Sequence, residues 1–239
     1  MSDDSAKRTR GSRARSILDL VATLAIISAC GVVVWRNLST PETPSRTRAL
    51  PSSPVSVDSA PALGKPDASV AMLIYSDFEC PFCSRFAQGI FPEVRKKYID
   101  PGLVRAIFIH LPLENLHQRA VPAAVASECA AERGKFWEMH DLLFQDPQRL
   151  DEGTLTSYAQ KLGWRPEPFA TCMARTDLTE RIRASAAAAR SLGIESTPVV
   201  LMGTRLPDGT VRVVRRVDGA KPVSEFDKVL TEILGRSAS

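Results

Sequence analysis

The sequence predicts an α/β domain with an inserted helical subdomain, set behind a single membrane-spanning segment and a proline-rich linker. Three observations predict it. Residues 70–75 form an unbroken apolar run, the pattern of a strand buried on both faces of a parallel sheet, and a helical pattern starts just after it. A second strand pattern at 103–109 follows that helix, and strand, helix and strand in series imply a right-handed parallel crossover. From 117 to 193 the periodicity is helical throughout, and strand patterns return only afterwards.

The chain has 239 residues and a net charge of +4. That length suits one domain or two, with a core that needs no staples. The positive excess lies in the first residues and beside the apolar segment, so no folded basic patch argues for nucleic acid. Residues 1–16, with Lys7, Arg8, Arg10, Arg13 and Arg15, read as a disordered cytoplasmic tail. Residues 17–35 are apolar apart from Asp19, a few small or hydroxylic residues and Cys30. At 1.5 Å per residue they nearly cross a ~30 Å hydrocarbon core. Asp19 stands near the end, where a charge costs less than at the centre. The basic cluster before it places the N-terminus inside and the rest outside.

This segment reads first as a retained signal anchor, because it is longer than a usual cleaved signal. A second reading stays open: Ile27-Ser28-Ala29-Cys30 is similar to the lipobox of bacterial lipoproteins, which would make Cys30 a lipidation site. Against it, Val32-Val33-Val34-Trp35 would remain as an apolar stub, and Cys30 can equally be a small apolar residue in a helix. Each reading puts the remaining chain outside the cytoplasm. Residues 36–68 carry prolines at 41, 44, 51, 54, 61 and 66 among serines and threonines and read as a linker unable to bury a core. As a flexible coil it would average roughly 30 Å end to end. The folded domain is then expected over 69–239, with its helical insertion at about 117–193.

Where the strand at 70–75 gives way to a helix stand Cys80-Pro81-Phe82-Cys83. At a helix N-terminus, free amide hydrogens and the positive end of the dipole favour a thiolate at Cys80. Pro81 suits the first turn, where a missing N–H is harmless. Cys83 lies one turn on, within reach of a mixed disulfide on Cys80, so Cys80 would attack and Cys83 resolve. Cys83, Phe86, Ile90 and Val94 make the inward stripe of this helix, and Pro92 should kink it. A zinc site would need four ligands, and no second short-spaced pair accompanies Cys80 and Cys83.

Helical patterns continue at 117–133, 135–144, 153–163, 166–174 and 177–192. The last carries Asp177 and Glu180 as an expected capping box and Gly193 as its stop. Residues 198–202, a turn at 207–210 and residues 211–217 read as a hairpin, and 224–234 as a closing amphipathic helix.

The run Tyr75-Ser76-Asp77-Phe78-Glu79-Cys80-Pro81-Phe82-Cys83 resembles the active-site segment of DsbA-type, thioredoxin-fold thiol:disulfide oxidoreductases of the bacterial cell envelope. Three further pieces agree with it in order: the stretch at 134–141, Phe169-Ala170-Thr171-Cys172, and Gly193-Ile194-Glu195-Ser196-Thr197-Pro198. The resemblance spans roughly residue 69 to the C-terminus. It implies Cys80 and Cys83 as the redox pair, with Pro81 and Phe82 completing the motif. Thr197 and Pro198 match the cis-proline position that presents a backbone edge to an extended substrate. An ordinary trans turn is the alternative there. Some members of the family join the equivalents of Cys129 and Cys172 in a structural disulfide, which would stabilise the subdomain by up to ~4 kcal/mol; two separate buried thiols are the alternative.

The resemblance also implies a membrane-tethered enzyme on the outer face of the cell membrane or in the periplasm, acting on unfolded or reduced secreted proteins. It would be reoxidised by a membrane partner of the DsbB or vitamin K epoxide reductase type, with no cofactor, no metal and no nucleic acid. Isomerases of this kind carry an N-terminal dimerisation domain where this chain has linker, so a monomeric oxidase is expected. A reductase or isomerase on the same fold, and a metallochaperone using Cys80 and Cys83 as ligands, remain the competing readings. His110, His117, His140, Phe136 and Trp137 read as structural, and Asp77 or Glu79 as candidate proton relays for Cys83. Phe82 stands where the strongest oxidants of the family carry a histidine. A Cys80 pKa below a free thiol but short of the extreme cases is therefore expected, with a potential between about −120 and −270 mV.

Overall fold

The computed structural model describes residues 49–57 and 60–237. The expected basic tail (1–16), membrane segment (17–35), Cys30 and the first part of the linker lie outside the described residues. Among the described residues no helix is long and apolar enough to cross a membrane.

Five strands make one sheet among the described residues: β1 (Ala62–Leu63), β2 (Val70–Ser76), β3 (Val104–His110), β4 (Val199–Arg205) and β5 (Val211–Asp218), in the order β1-β3-β2-β4-β5. The apolar run predicted as a doubly buried strand is the centre of the sheet. β2 is buried along its whole length, runs parallel to β3 and antiparallel to β4. Its even-numbered residues Val70, Met72 and Ile74 pack on Phe86, Phe91 and Val94 and on Phe226 and Leu230 of the last helix. Its odd-numbered Ala71, Leu73 and Tyr75 pack on Ala186 and Ala189 from the other side. Burying each large apolar side chain there contributes about 1.5–3 kcal/mol. Ser76, the last residue of β2, therefore has its position fixed just before the dithiol.

The helix after β2 is continuous but uneven. α1 (Pro81–Arg85) is followed by a wide π turn (Phe86–Ile90), then α2 (Phe91–Val94) and a second wide turn (Arg95–Ile99). Pro92 has no N–H for the carbonyl four residues back. The structure absorbs this by opening the ladder, with the Phe91 amide donating five residues back to Phe86.

The insertion runs through α3 (Ala120–Ala131), α4 (Phe136–Gln145), α5 (Glu152–Lys161), α6 (Pro166–Met173) and α7 (Thr176–Ser191). α8 (Val223–Ser237) closes the fold. Gly193 (φ 70°) terminates α7, with Ile194 N–H donating to the Ala189 carbonyl at 3.0 Å. The expected capping box at Asp177 is not formed. α7 starts at Thr176 with Arg175 as its N-cap, and Asp177 instead accepts two bonds from the Arg175 guanidinium, at 3.1 and 2.7 Å. A charge-assisted two-point pair wins over a single amide contact.

The linker is shorter than its prolines suggest. Val55 is buried and exchanges two 2.9 Å backbone bonds with Val211 of β5, while Ala62–Leu63 pairs with β3. The domain therefore begins at Val55 or before it, not at residue 69. Small apolar residues (Val55, Val57, Ala60, Ala62) interleave with the prolines and fill the face beside Ala71 and Leu73. A proline costs nothing where only its carbonyl is used, as at Pro61, which accepts from Phe108 at 2.8 Å.

Candidate active site

Cys80 is the N-cap of α1, extended at φ −75°, ψ 122°, with Pro81 at the first helical position. Its carbonyl accepts from Ser84 at 3.0 Å, and its own N–H donates to the Asp77 carbonyl at 3.2 Å. Cys80 is 4% exposed and Cys83 is 0% exposed, while Phe82 between them is 53% exposed, with the Arg85 guanidinium 5.3 Å from its ring centre. Both thiols are free. A reaction partner therefore meets Cys80 at the rim, and Cys83 stays behind it.

Across the cleft, the Thr197–Pro198 peptide bond is cis, and the Thr197 carbonyl oxygen lies 3.6 Å from Cys80 Sγ. The loop before β4 thus sits against the start of α1, two elements more than a hundred residues apart in the chain. The Thr197 hydroxyl is buried without a hydrogen-bond partner of its own, beside sulfurs whose ionised forms it favours.

The two thiols are driven apart electrostatically. The Cys80 thiol is held down to about 6, chiefly by a hydrogen bond from Cys83, with help from Thr197 and the amides of Cys83 and Phe82 and against its partial burial. Cys83 is pushed well above the usual thiol range, first by burial and then by the neighbouring Cys80; Ser76 and Thr197 oppose this weakly. At pH 7 Cys80 is thus about ten parts thiolate to one part thiol, and Cys83 keeps its proton. This asymmetry separates an attacking sulfur from a resolving one. The value of about 6 lies between a free thiol near 8.5 and the most acidic catalytic cysteines near 3.5.

Asp77 and Glu79 do not reach the sulfurs with their carboxylates. Asp77 Oδ1 accepts from Glu79 N–H at 2.8 Å, and its Oδ2 accepts from Leu113 N–H at 2.8 Å and lies 2.8 Å from His117 Nδ1. Glu79 Oε2 accepts from the Arg119 amide at 2.6 Å. The expected relay to Cys83 is not built this way. Ser76 is a site residue that the motif does not single out, and Leu113, His117 and Arg119 enter through contacts at sequence distances of 36 and 40 that no local pattern signals.

The other histidines are structural. His110 Nε2 is 2.9 Å from Glu128, and His140 is buried among Phe78, Phe108, Trp137 and Phe144, with burial keeping its ring neutral. Cys129 and Cys172 are joined, S–S 2.03 Å, tying α3 to α6. Among the described residues no group of three or more His, Cys, Asp or Glu side chains could hold a metal ion.

Known proteins share this fold and parts of this sequence. A family model described as Thioredoxin matches residues 56–215. The Na(+)/H(+) antiporter NhaA 3 of Salinispora tropica is 35% identical over 160 residues, which are 67% of this chain and 24% of the antiporter. The chain spans about a quarter of the length of such relatives. Disulfide bond formation protein D of Bacillus subtilis is 23% identical over 159 residues, covering 63% of this chain and 71% of that protein. The crystal structure of Wolbachia pipientis alpha-DsbA1 superposes with a TM-score of 0.69 at 23% identity, over 77% of this chain and 95% of that one.

Proposed function

The chain belongs to the thioredoxin family; from that premise we propose that it is a DsbA-type thiol:disulfide oxidoreductase that works as an oxidase, passing the Cys80–Cys83 disulfide to secreted proteins as they fold, a reading that its likeness to alpha-DsbA1 and to disulfide bond formation protein D supports. The observation that carries this reading is the pairing of a thiolate-favouring Cys80 at the rim with a buried Cys83 that keeps its proton. Stabilising the reduced form makes the disulfide the higher-energy state, and so an oxidant.

In the forward reaction a client thiolate attacks Cys80 Sγ, the Cys80–Cys83 bond breaks, and Cys83 leaves and takes up a proton in its buried site. A second client thiolate then attacks the client sulfur of the mixed disulfide and expels Cys80, a good leaving group because its pKa is low. Two electrons pass from the client to the pair. The Thr197 backbone edge, 3.6 Å from Cys80, would hold an extended client segment by main-chain bonds. The apolar segment at 17–35 and its basic flank support tethering to the cell membrane with the enzyme outside. A membrane oxidase of the DsbB or vitamin K epoxide reductase type would restore the disulfide.

Mixing the oxidised full chain with a reduced, denatured secreted protein tests the direction. Stoichiometric appearance of client disulfides, lost in Cys80→Ser, is the expected result; no transfer over hours would contradict it.

A further inference from the structure

We propose that Asp77 and Glu79 are positioning residues for dithiol exchange: their carboxylates clamp the dithiol loop to the 111–119 loop and to the first helix of the insertion, and so hold Cys80 at its helix N-terminus. The inference rests on the exchange activity and not on its direction.

Asp77 has a side chain with no exposure, and both its oxygens are occupied. The Oδ1 bond to Glu79 N–H closes a turn of the Asx type that starts three residues before Cys80. The Asp77 carbonyl then accepts the Cys80 N–H, so one residue fixes the backbone entering α1 through two separate contacts. Its Oδ2 meets Leu113 N–H and His117 Nδ1 and pins the loop that carries Leu116, 74% exposed. One residue before Cys80, Glu79 makes a separate contact further along, at Arg119. The N-cap of α3 is Arg119, which has no side-chain cap, and the Glu79 carboxylate accepts the Arg119 amide from another part of the chain. Arg119 in turn donates from its guanidinium to the Gln148 carbonyl at 3.1 Å. The chain thus spends its two carboxylates nearest the dithiol on backbone amides and one imidazole, and neither is hydrogen-bonded to a sulfur.

The chemical consequence lies in the helix amides. The Phe82 and Cys83 N–H groups favour the Cys80 thiolate only while Cys80 keeps its N-cap geometry. Releasing the clamp therefore moves Cys80 out of line and raises its pKa. A charge or proton-carrier role has the opposite sign, because removing a nearby negative charge lowers the pKa of a thiol.

The test uses the full chain with Glu79→Gln, Glu79→Ala and Asp77→Asn, each checked for folding by its melting curve. The readouts are the Cys80 pKa, from thiolate ultraviolet absorbance, and the redox equilibrium with glutathione. Glu79→Gln keeps the oxygen that caps α3 and should match the wild type. Glu79→Ala should raise the Cys80 pKa by about one unit and, at about pH 7, shift the glutathione equilibrium about fivefold toward the disulfide, roughly 20 mV. Asp77→Asn offers an N–H to the Leu113 amide and should shift in the same sense. A fall in pKa in both Glu79 variants, or no change in Glu79→Ala, would overturn the proposal. If Asp77→Asn fails to fold, the Glu79 pair decides alone. A chain that exchanges no disulfide with glutathione would sink the activity itself, while the thiolate titration would still report on the clamp.

Discussion

Raising the pH from about 6 to about 8.5 should stabilise the reduced chain relative to the oxidised one, because the thiolate of Cys80 exists only in the reduced form. Its folded pKa is about 6, against about 8.5 in an unfolded chain. For an acidic group held down by folding, the stabilisation is fully present above the unfolded value and is lost as pH falls through the folded one. At 1.36 kcal/mol per unit the thiolate contributes about 1.4 kcal/mol at pH 7 and about 3 kcal/mol at pH 8.5. Cys83, pushed up, acts in the opposite sense only as its unfolded thiol ionises, so it closes the window from above. Groups that titrate alike in both redox forms cancel in the difference. Urea unfolding of the reduced and oxidised full chain in mild detergent, at three pH values across the window, measures it. A reduced-minus-oxidised stability that stays flat from pH 6 to 8.5 would refute the thiolate assignment, and the Cys80→Ser chain, which cannot form the Cys80–Cys83 disulfide, should lack this share of the rise in the reduced chain's own stability with pH.

Other consequences can be checked separately. Replacing Cys129 and Cys172 together by alanine opens a link across a sequence separation of 43, and should cost up to about 4 kcal/mol in the chain-entropy model with the Cys80 pKa unchanged; chemical denaturation of the oxidised chain and thiolate titration of the reduced one measure the two. Phe82→His places a cationic partner between the cysteines at a half-exposed position, so the Cys80 pKa should fall below 6 with little loss of stability, read by thiolate absorbance. Val55→Ala removes two buried methyl groups from the segment paired with Val211, and should cost about 1.5 kcal/mol; an unchanged urea midpoint would mean that this segment is a free linker after all.

The dithiol is legible in the sequence because its chemistry is local: two cysteines, a proline and a strand-to-helix junction within a few residues. β2 is legible for the same reason, since a strand buried on both faces shows no alternation to be misread. Thr197 can be placed opposite Cys80 only through the family resemblance, because their contact spans 117 positions. The roles of Asp77 and Glu79 are hidden because their partners at 113 and 119 are backbone amides, which every residue but proline carries. The segment from Val55 reads as linker because it continues a stretch in which prolines recur from 41 to 66 among serines and threonines. What decides its fate is the free edges of β3 and β5, which exist only once the sheet has formed. Asp177 shows the same limit on a smaller scale: its spacing to Glu180 fits a cap, but Arg175 reaches it first.

The reduction potential of the full chain, equilibrated against glutathione with Cys83→Ser as control, tests the oxidase reading most directly. A value of about −120 to −180 mV would mean that the Cys80–Cys83 disulfide is unstable enough to be handed on, as the oxidase reading expects. A value near about −270 mV would make the chain a reductase and contradict the account.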